Sequence, residues 1–267
     1  MKIKNLIFLS FLIASVLSCT NKNTEINLPV PKGKLFIIGG GSKPQEMIQS
    51  LLKLSGTDTS GYIVILPMSS EDTDTAIFYG KKQFTDLGVD QVFGMNFNSV
   101  NDMTKSRLDS VLNASLIYIS GGDQDRFMKI VVGTELHSVI KKAYMQGTVI
   151  SGTSAGAAVM SKKMITGNEF KHPEYTGYFR TIEANNIEIK EGLGLLEGVI
   201  IDQHFVWRMR MNRLLSASLE NPNDICIGID ESTAILVEGK KATVYGESQV
   251  LVLRNNSKSI NVKDGLL

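Results

Sequence analysis

Residues 151–160 read SGTSAGAAVM and directly follow the apolar run TVI at residues 148–150. The run predicts a strand, and the small residues after it predict a sharp turn in which Gly152 and Gly156 leave room on either side of Ser154. A strand followed by such a turn displays a nucleophilic serine with its hydroxyl clear of the backbone. The alternative is a small-residue turn that only lets the next helix pack closely on a sheet. Other parts of the chain distinguish between these two interpretations.

Short apolar runs alternate with longer amphipathic runs before this stretch. They read KLFIIGGG, PQEMIQSLLKLSG, YIVILPMSS, DTAIFYGKKQFTDLG, QVFGMNF, TKSRLDSVLNA and SLIYISGG. This alternation predicts an α/β fold with a mostly parallel, doubly wound sheet and helices on both faces. After Glu231 the runs TAILVEG, KATVYGE and QVLVLR are short and joined by tight turns, which predicts antiparallel strands near one edge and near the C-terminus.

Four polar or glycine-rich loops follow predicted strands. They are GGGS at 39–42, MSSEDTD at 68–74, SGGDQDRF at 120–127 and the Ser154 turn. Ligands of a doubly wound sheet bind at the carboxyl ends of its strands, so we expect these loops to share one rim. The segment GGGSKP does not match the G-x-G-x-x-G pattern of a dinucleotide site. The loops therefore predict a site without a dinucleotide.

The N-terminal segment MKIKNLIFLSFLIASVLSCT has two lysines, an apolar run and small residues before Cys19. This pattern is typical of a secretory signal, and its VLSC ending resembles a bacterial lipoprotein signal in which residues 1–18 are removed and Cys19 is lipidated. An uncleaved anchor and a plain secretory peptide are the alternatives. We expect residues 19–33 to form a tether and residues 34–267 a single catalytic domain, lipid-anchored in the cell envelope on the periplasmic or outer face of a bacterial membrane.

Composition limits the classes of partner. The 267 residues are 43% hydrophobic and 21% charged, which is typical of a globular protein and excludes a disordered tail or a fibre. The formal net charge of +1 becomes −1 when the two lysines of the signal are removed, which argues against nucleic acid as a partner. Cys226 is the one cysteine besides the predicted lipidation site Cys19, so no disulfide is expected. The three histidines are far apart and lack an H-E-x-x-H pattern, so no metal or cofactor is expected.

A serine nucleophile needs a base, and the base needs an orienting acid. His137 lies in the amphipathic run GTELHSVIKKAYMQG and is predicted to be a solvated helix residue. His172 lies in a polar segment that predicts a surface loop, and the alternative is a loop over the site that contributes to binding. His204 follows the strand-like GVIIDQ and begins the basic segment HFVWRMRMNRL. If that strand belongs to the same sheet, His204 emerges on the rim that carries Ser154.

The predicted acid follows another apolar strand. The segment DICIGIDESTAILV has Asp230 and Glu231 directly after such a run. In α/β-hydrolases the order along the chain is serine, acid, histidine. Here the order is Ser154, His204, Glu231, and no HGGG-type loop is present. The order argues for a different fold.

Four motifs in this order and spacing carry a resemblance: GTSAGA, SGGDQ, DQHFVWRMRMNRL and GIDESTA. They resemble the cyanophycinase branch of the serine peptidases, which also contains aspartyl dipeptidase and has a fold similar to class I glutamine amidotransferases. The resemblance covers most of the chain, from the GGG segment near residue 39 to the strands near residue 253. It implies Ser154 as nucleophile, His204 as general base and then acid, and Glu231 as the residue that orients His204.

The same resemblance implies further site residues and a homodimer. The amides of Ala155 and Gly122 are the implied oxyanion hole. Five residues match positions that bind substrate or shape the pocket: Gln124, Asp202, Arg208, Arg210 and Arg213.

The implied activity is that of a serine exopeptidase that releases β-aspartyl-arginine dipeptides from cyanophycin, a poly-aspartate whose β-carboxyls carry arginine. An aspartyl or isoaspartyl dipeptidase is the main alternative, and a catalytically inactive peptide-binding lipoprotein is another. Amidotransferase-like or chaperone-like members of the fold would have a cysteine at the turn that carries Ser154.

Arginines held in place bind the carboxylates of a substrate through paired donors. The arginine side chain of the substrate needs an acid or amide as its acceptor, and Asp202, Gln124 or Asp123 could supply it. On a regular helix Arg208 would point roughly 160° away from Arg210, so at least one arginine is expected to pair with a structural carboxylate, and we expect it to be Arg213.

Overall fold

The computed structural model of the chain describes residues 30–174, 177–257 and 260–267. The predicted signal, Cys19 and most of the predicted tether lie outside these residues. Within the described ranges, every helix is too short or too polar to span a bilayer.

Twelve strands and seven α-helices form from the described residues. The strands are β1 (Leu35–Ile38), β2 (Ile63–Leu66), β3 (Val92–Gly94), β4 (Leu116–Ile119), β5 (Val149–Thr153), β6 (Lys163–Glu169), β7 (Ile187–Glu191), β8 (Val199–Gln203), β9 (Ile225–Ile229), β10 (Thr233–Glu238), β11 (Lys241–Gly246) and β12 (Val250–Arg254). The helices are α1 (Gln45–Ser55), α2 (Thr73–Thr85), α3 (Lys105–Leu112), α4 (Gln124–Val131), α5 (Glu135–Gln146), α6 (Ala155–Ala158) and α7 (Met211–Glu220).

The largest sheet has seven strands in the order β11-β10-β1-β5-β4-β2-β3. Strands β1 to β5 run parallel, so their carboxyl ends lie on one edge of the sheet. Strand β10 pairs antiparallel with β1, and β11 pairs antiparallel with β10. The prediction of a mostly parallel α/β sheet with antiparallel strands near the C-terminus is therefore confirmed.

Helices cover both faces of this sheet because successive strand residues point to opposite faces. Leu35 and Ile37 of β1 pack in the core that contains the apolar residues of α3, α4, α5 and α6. Phe36 and Ile38 of the same strand pack with α1 and α2 on the other face. These residues are fully buried, and burial of each such side chain contributes about 1.5–3 kcal/mol. The predicted arrangement of helices on both faces is confirmed.

Local capping sets the start and end of several helices. The Asp72 side chain accepts the N–H of Thr75 at the start of α2, and the Asp123 side chain accepts two N–H groups at the start of α4. Helix α1 ends at Gly56, whose φ of 72° is left-handed, as is typical of a helix C-terminus. The loops after β2 and β4 thus begin helices directly at the carboxyl edge of the sheet.

Two smaller sheets were not part of the predicted alternation. Strands β12, β9 and β8 form a three-stranded sheet, and β6 pairs with β7. The condition stated for His204, that its strand shares a sheet with the Ser154 strand, is not met, because among the described residues β8 pairs with β9 in the three-stranded sheet. The expectation that QVLVLR joins the other C-terminal strands at one edge is also wrong, because β12 pairs with β9. Apolar runs predict strands but do not specify their partners.

The three-stranded sheet nevertheless packs near the turn after β5. Ile201 of β8 and Ile229 of β9 belong to the same core as the apolar residues of α6. Residues 230–232 then lead from β9 directly into β10 of the large sheet. The chain segments that carry His204 and Glu231 therefore approach Ser154 from the neighbouring sheet.

Candidate active site

Ser154 lies at the sharp turn between β5 and α6. Its φ of 54° and ψ of −113° lie in a region that non-glycine residues rarely adopt. A Cβ atom on Gly152 would lie 2.3 Å from the carbonyl oxygen of Gly156, and a Cβ on Gly156 would lie 2.3 Å from the carbonyl oxygen of Ile119. The small residues around Ser154 are therefore required by close backbone contacts, which hold the turn tightly against β4.

Ser154, His204 and Glu231 form a continuous chain of hydrogen bonds. The Nε2 atom of His204 is 2.8 Å from Ser154 Oγ. Its Nδ1 atom is 2.5 Å from Glu231 Oε1. Since Nδ1 faces a carboxylate, it carries the proton in the neutral tautomer, and Nε2 is free to accept one from the serine. The geometry suits proton transfer from the hydroxyl to the imidazole.

The glycines at 39–41 make room for two of these side chains. A Cβ on Gly40 would lie 2.3 Å from His204 Cε1, and a Cβ on Gly41 would lie 2.7 Å from Glu231 Cβ. The carbonyl oxygen of Gly39 accepts the backbone N–H of His204 at 2.8 Å. The GGG segment was predicted to lie on the site rim, and it does so as the backbone surface against which the histidine and the acid pack.

His204 itself has a left-handed φ of 48°. It follows β8 and begins a turn at residues 205–210 that precedes α7. The predicted position on the rim is thus reached, but from β8 of the three-stranded sheet. The reversal of the backbone at His204 directs the ring towards Ser154.

The environment favours a neutral imidazole. Burial lowers the pKa of His204 below its usual value, and the positive charges of Arg208 and Arg210 lower it further, while Glu231 acts in the opposite direction. Only 6% of the His204 surface is exposed. A histidine that is neutral at pH 7 is able to act as a general base.

Ser154 opens into a cavity of about 330 Å³ at the carboxyl edge of the large sheet. Its lining includes Gly122, Asp123, Gln124 and Asp125 from the loop after β4 and the start of α4, together with Thr166, Gly167, Asn168, Gln203, Arg208, Arg210 and Arg213. All three predicted arginines reach this cavity. The expectation that Arg208 and Arg210 point in opposite directions is wrong, because α7 begins only at Met211 and Met209 has a left-handed φ of 51°.

The arginines differ in how they are held. Arg213 pairs with Asp202 through Nε at 2.9 Å and also through Nη2, and both side chains are buried. Arg210 donates from Nη1 to the backbone and side-chain oxygens of Gln203, each at 2.6 Å. Arg210 Nη1 also lies 3.7 Å from Asp202 Oδ1, so Asp202 pairs with both arginines inside the protein, and most closely with Arg213. These residues shape the cavity wall.

Arg208 and Asp123 are the charged groups that remain open to the cavity. The side chain of Arg208 is exposed, and its guanidinium makes no hydrogen bond or ion pair with any other described residue. Asp123 uses Oδ1 to accept the N–H groups of Asp125 and Arg126, while Oδ2 has no partner among the described residues. One cation and one anion therefore face the space beside Ser154.

Gln124 is buried and holds a neighbouring strand. Its Nε2 donates to the carbonyl oxygens of Ile165 and Thr166, at 2.9 and 2.6 Å. These residues adjoin a register shift in β6, where Gly167 has a φ of 98°. Gln124 thereby fixes the part of β6 that forms the cavity wall.

One implied oxyanion-hole residue directly follows Ser154, and the other lines the same cavity as Ser154. Ala155 is the first residue of α6, and the first N–H groups of a helix have no partner within it. Gly122 lines the cavity with Ser154 and has a φ of 138°. A Cβ on Gly122 would lie 2.1 Å from the carbonyl oxygen of Ser69, so only glycine fits there.

The remaining histidines and the cysteine lie apart from the Ser154–His204–Glu231 chain. The prediction that His137 is solvated is wrong: it is buried, and its Nε2 lies 3.0 Å from the carbonyl oxygen of Leu193, because its helix face packs on that loop. His172 lies in an exposed segment between β6 and β7 and pairs with Glu183. Cys226 is buried in β9, and burial raises the pKa of its thiol to about 12. A thiol with that pKa is not a nucleophile at neutral pH.

Several residues of the site were not singled out from the sequence. Gly40 and Gly41 were quoted only as part of a glycine-rich loop, and Gln203 was not assigned a role. Asp230 was noted beside Glu231 without a function. The glycine run was the signal in the sequence that could have identified Gly40 and Gly41, but His204 and Glu231, which they contact, lie more than 160 residues away along the chain. Among the described residues, no group of three histidine, cysteine or acidic side chains is arranged to hold a metal ion.

Comparison with known proteins shows which family this chain resembles. The sequence model described as "Peptidase family S51" matches residues 35–245. A cyanophycinase from Nostoc sp. PCC 7120 is 32% identical over 225 residues, which is 81% of this chain and 72% of the relative. A peptidase E from Haemophilus influenzae is 26% identical over 164 residues, which is 61% of this chain and 67% of the relative.

A solved structure has a similar fold. The crystal structure of a peptidase from an acI-B1 Actinobacterium superposes with a TM-score of 0.65 at 22% sequence identity. The superposition covers 86% of this chain and 97% of that chain. At this identity the likeness concerns the fold.

Proposed function

The chain belongs to peptidase family S51 and is a serine-type peptidase, and we propose that it hydrolyses cyanophycin to β-aspartyl-arginine dipeptides through an acyl-enzyme. The observation that carries this proposal is the hydrogen-bonded chain from Ser154 Oγ through His204 to Glu231, which opens into a cavity with Arg208 on its wall.

In the proposed reaction, His204 Nε2 takes the proton of Ser154 while Oγ attacks the carbonyl carbon of the scissile amide. Glu231 holds Nδ1 and stabilises the imidazolium that forms. The imidazolium then gives its proton to the leaving amine, which departs and leaves an ester on Ser154. A water molecule, deprotonated by His204, attacks the ester, and the proton returns to Ser154 as the acid product leaves.

The backbone amides of Ala155 and Gly122 are the proposed oxyanion donors. Ala155 directly follows Ser154, Gly122 lines the same cavity, and the requirement for glycine at residue 122 supports a backbone role there. Donors fixed by the fold stabilise the negative charge that develops on the substrate oxygen without reorganising. Loss of one such donor typically lowers the rate by about 100- to 1,000-fold.

The open charges of the cavity support a substrate that carries both signs. A guanidinium group such as that of Arg208 binds a carboxylate through paired donors. The free oxygen of Asp123 is a suitable acceptor for the guanidinium of the substrate's arginine side chain. A β-aspartyl-arginine unit carries both groups, so one cation and one anion beside Ser154 match it.

The similar proteins support cyanophycin as the substrate, but they also support a dipeptide as a second candidate. The Nostoc cyanophycinase matches more of this chain, and at higher identity, than the Haemophilus peptidase E does. The peptidase E match favours an aspartyl or isoaspartyl dipeptidase as the second candidate.

The test is product analysis by mass spectrometry after incubation with insoluble cyanophycin and, separately, with β-aspartyl-arginine and aspartyl dipeptides. We expect release of β-aspartyl-arginine from the polymer by the wild-type protein and none by Ser154→Ala. Ser138→Ala, at an exposed position of α5, is the matched control and should keep the wild-type rate. Cleavage of dipeptides with the polymer untouched would replace the first candidate with the second.

We also propose that Cys19 is lipidated and tethers the enzyme to the cell envelope, where it would meet a polymer too large to cross a membrane. The VLSC segment supports this location. Incorporation of a labelled fatty acid, abolished in Cys19→Ala, tests the modification, and protease treatment of intact cells tests which side the domain faces. The homodimer remains a proposal that light scattering of the purified protein would test.

A further inference from the structure

Asp230 lies directly before Glu231, between β9 and β10, and is only 7% exposed. Its Oδ1 accepts the backbone N–H groups of Val206 and Trp207, at 3.0 and 2.9 Å. Its Oδ2 accepts the hydroxyl of Ser248 at 2.6 Å. One buried carboxylate thus joins three chain segments near the catalytic residues, although it makes no hydrogen bond to the side chain of Ser154 or His204.

The N–H groups that Asp230 accepts belong to the turn at residues 205–210. Within this turn the N–H of Arg208 donates to the carbonyl oxygen of His204 at 2.9 Å, and that of Arg210 donates to Phe205 at 2.9 Å. The N–H groups of Val206 and Trp207 come too early in the turn to reach such a carbonyl. Asp230 therefore satisfies the two donors that the turn cannot satisfy by itself.

The residue that precedes this turn is under backbone strain. The φ of His204 is left-handed, and such a conformation persists only where the surroundings hold it. Backbone contacts on both sides do so: Gly39 accepts the N–H of His204, Ile229 accepts that of Phe205, and Asp230 accepts those of the next two residues. If the bonds to Asp230 are removed, the turn is able to rotate and to move the imidazole away from Ser154 and Glu231.

We propose that Asp230 is a positioning residue that fixes the orientation of His204 by binding the turn at residues 205–210. This inference rests on the serine mechanism proposed above. Because Asp230 directly precedes Glu231, the same two-residue segment holds the imidazole ring by Glu231 and the backbone behind it by Asp230. Glu231 therefore orients the imidazole ring, and Asp230 holds the backbone that carries it.

The role requires an acceptor oxygen and not a negative charge. Burial acts to raise the pKa of Asp230, but the hydrogen bonds from Ser248, Trp207 and Val206 outweigh it and hold the pKa below its usual value. An asparagine retains Oδ1 for the two N–H groups, and its Nδ2 is able to donate to Ser248 Oγ. An alanine removes all three contacts. The two substitutions therefore separate positioning from charge.

The experiment compares Asp230→Ala, Asp230→Asn and the control Asp102→Ala. Asp102 is a matched control because its side chain also accepts two backbone N–H groups, those of Asn98 and Ser99, in a loop that does not line the site. We expect Asp230→Ala to lower kcat by about 10- to 100-fold, since misplacement of a catalytic group by about 1 Å costs that much. Asp230→Asn should stay within about threefold of wild type, and Asp102→Ala should leave kcat unchanged.

Two readouts do not depend on the identity of the substrate. The rate at which a fluorophosphonate labels Ser154 should fall in Asp230→Ala in parallel with kcat. The downfield proton resonance of His204 Nδ1–H, which reports its bond to Glu231, should be present in wild type and Asp230→Asn and be lost or broadened in Asp230→Ala. Melting temperatures identify any variant that has simply unfolded.

The outcomes separate this inference from the proposed function. Equal losses of kcat in Asp230→Asn and Asp230→Ala would mean that the charge matters, and would overturn the positioning role. Wild-type labelling and an unchanged Nδ1–H resonance in Asp230→Ala would overturn it as well. If the fluorophosphonate labels Ser154 of the wild-type protein but the protein does not digest cyanophycin, the proposal of cyanophycin as substrate is wrong. The labelling rates of the Asp230 variants then still decide the positioning role.

Discussion

The turn that carries Ser154 and the turn that carries His204 each hold a catalytic residue with a positive φ, but they do so through different contacts. Both residues have left-handed backbones, with φ values of 54° and 48°. The serine turn is held by backbone packing between neighbours along the chain and in the sheet, since Gly152 touches Gly156 and Gly156 touches Ile119. The histidine turn is held by Gly39, Gly40 and Asp230, which are distant in the sequence.

This difference predicts that substitutions in the two turns affect stability and activity differently. A side chain added in the serine turn meets fixed backbone in the core of the large sheet, so the fold should lose stability. A side chain added beside His204 meets a ring at the edge of a cavity, so activity should fall more than stability does. Four substitutions test this contrast, in order of the free energy that each is expected to change.

The largest expected effect is the loss of the orienting acid. Glu231→Gln keeps the size of the side chain but no longer selects the tautomer with its proton on Nδ1. We expect kcat to fall by about 1,000- to 10,000-fold, which corresponds to about 4–5.5 kcal/mol, with the melting temperature nearly unchanged. Steady-state kinetics and thermal unfolding measure both. Glu238→Gln, at an exposed ion pair with Lys34, is the control, and a kcat loss below tenfold in Glu231→Gln would refute the assignment.

The second effect tests the packing of the serine turn. In Gly152→Ala the new Cβ would lie 2.3 Å from the carbonyl oxygen of Gly156, and backbone is unable to move aside cheaply. We expect the free energy of unfolding to fall by about 2–4 kcal/mol, measured by urea denaturation.

The control for that substitution is Gly80→Ala in α2, whose Cβ would meet only the flexible side chain of Ile65 at 3.0 Å. It should change stability by less than about 1 kcal/mol, because alanine also favours the helix. Equal effects at both glycines would show that the turn is not held by close backbone contact.

The third effect tests the surface behind His204. Gly40→Ala would put a Cβ 2.3 Å from the imidazole, and we expect kcat to fall by about 10- to 100-fold, or about 1.4–2.7 kcal/mol. Gly147→Ala is a matched control because its φ of 128° resembles the 126° of Gly40, while only Lys32 Cβ lies nearby, at 4.0 Å. Both variants carry similar backbone strain, so a kcat loss in Gly40→Ala alone isolates the contact with the ring.

The smallest effect concerns pH. Activity requires neutral His204, whose pKa is lowered below 6.5 by burial and by the charges of Arg208 and Arg210. Activity should therefore be retained at pH 6.5 and be lost only as pH falls through the lowered pKa. Arg208→Gln removes a positive charge that disfavours the imidazolium. The acidic limb of the kcat/KM profile should therefore move to higher pH, by less than about one unit or 1.4 kcal/mol.

Arg254→Gln, on β12, serves as the control for that shift and should leave the limb in place. A fall in the plateau of kcat/KM for Arg208→Gln without any movement of the limb would mean that Arg208 acts on substrate alone. A limb above pH 6.5 in the wild-type protein would contradict the direction of the His204 pKa shift.

Much of the large sheet was predictable because its strands are buried on both faces. The runs around β1, β2, β4 and β5 are continuous apolar segments flanked by glycine or polar loops, and parallel strands must end on one edge. The partners of β8 and β12 were not predictable, since an apolar alternation does not state which neighbour it pairs with. His137 was misjudged because a helical period marks a buried face without showing that a distant loop, at Leu193, covers the residue beside it.

The sequence by itself determined the mostly parallel sheet, the small-residue turn at Ser154, and a set of candidate residues that resembles a peptidase family. These features are local, because strand propensity, glycine freedom and short motifs act between residues near one another in the chain. Only the tertiary structure decided that His204 and Glu231 reach Ser154 from a second sheet, that Asp202 pairs with buried arginines, and that Asp230 holds the histidine turn. These are contacts between segments far apart in sequence, and their distances depend on how whole sheets pack.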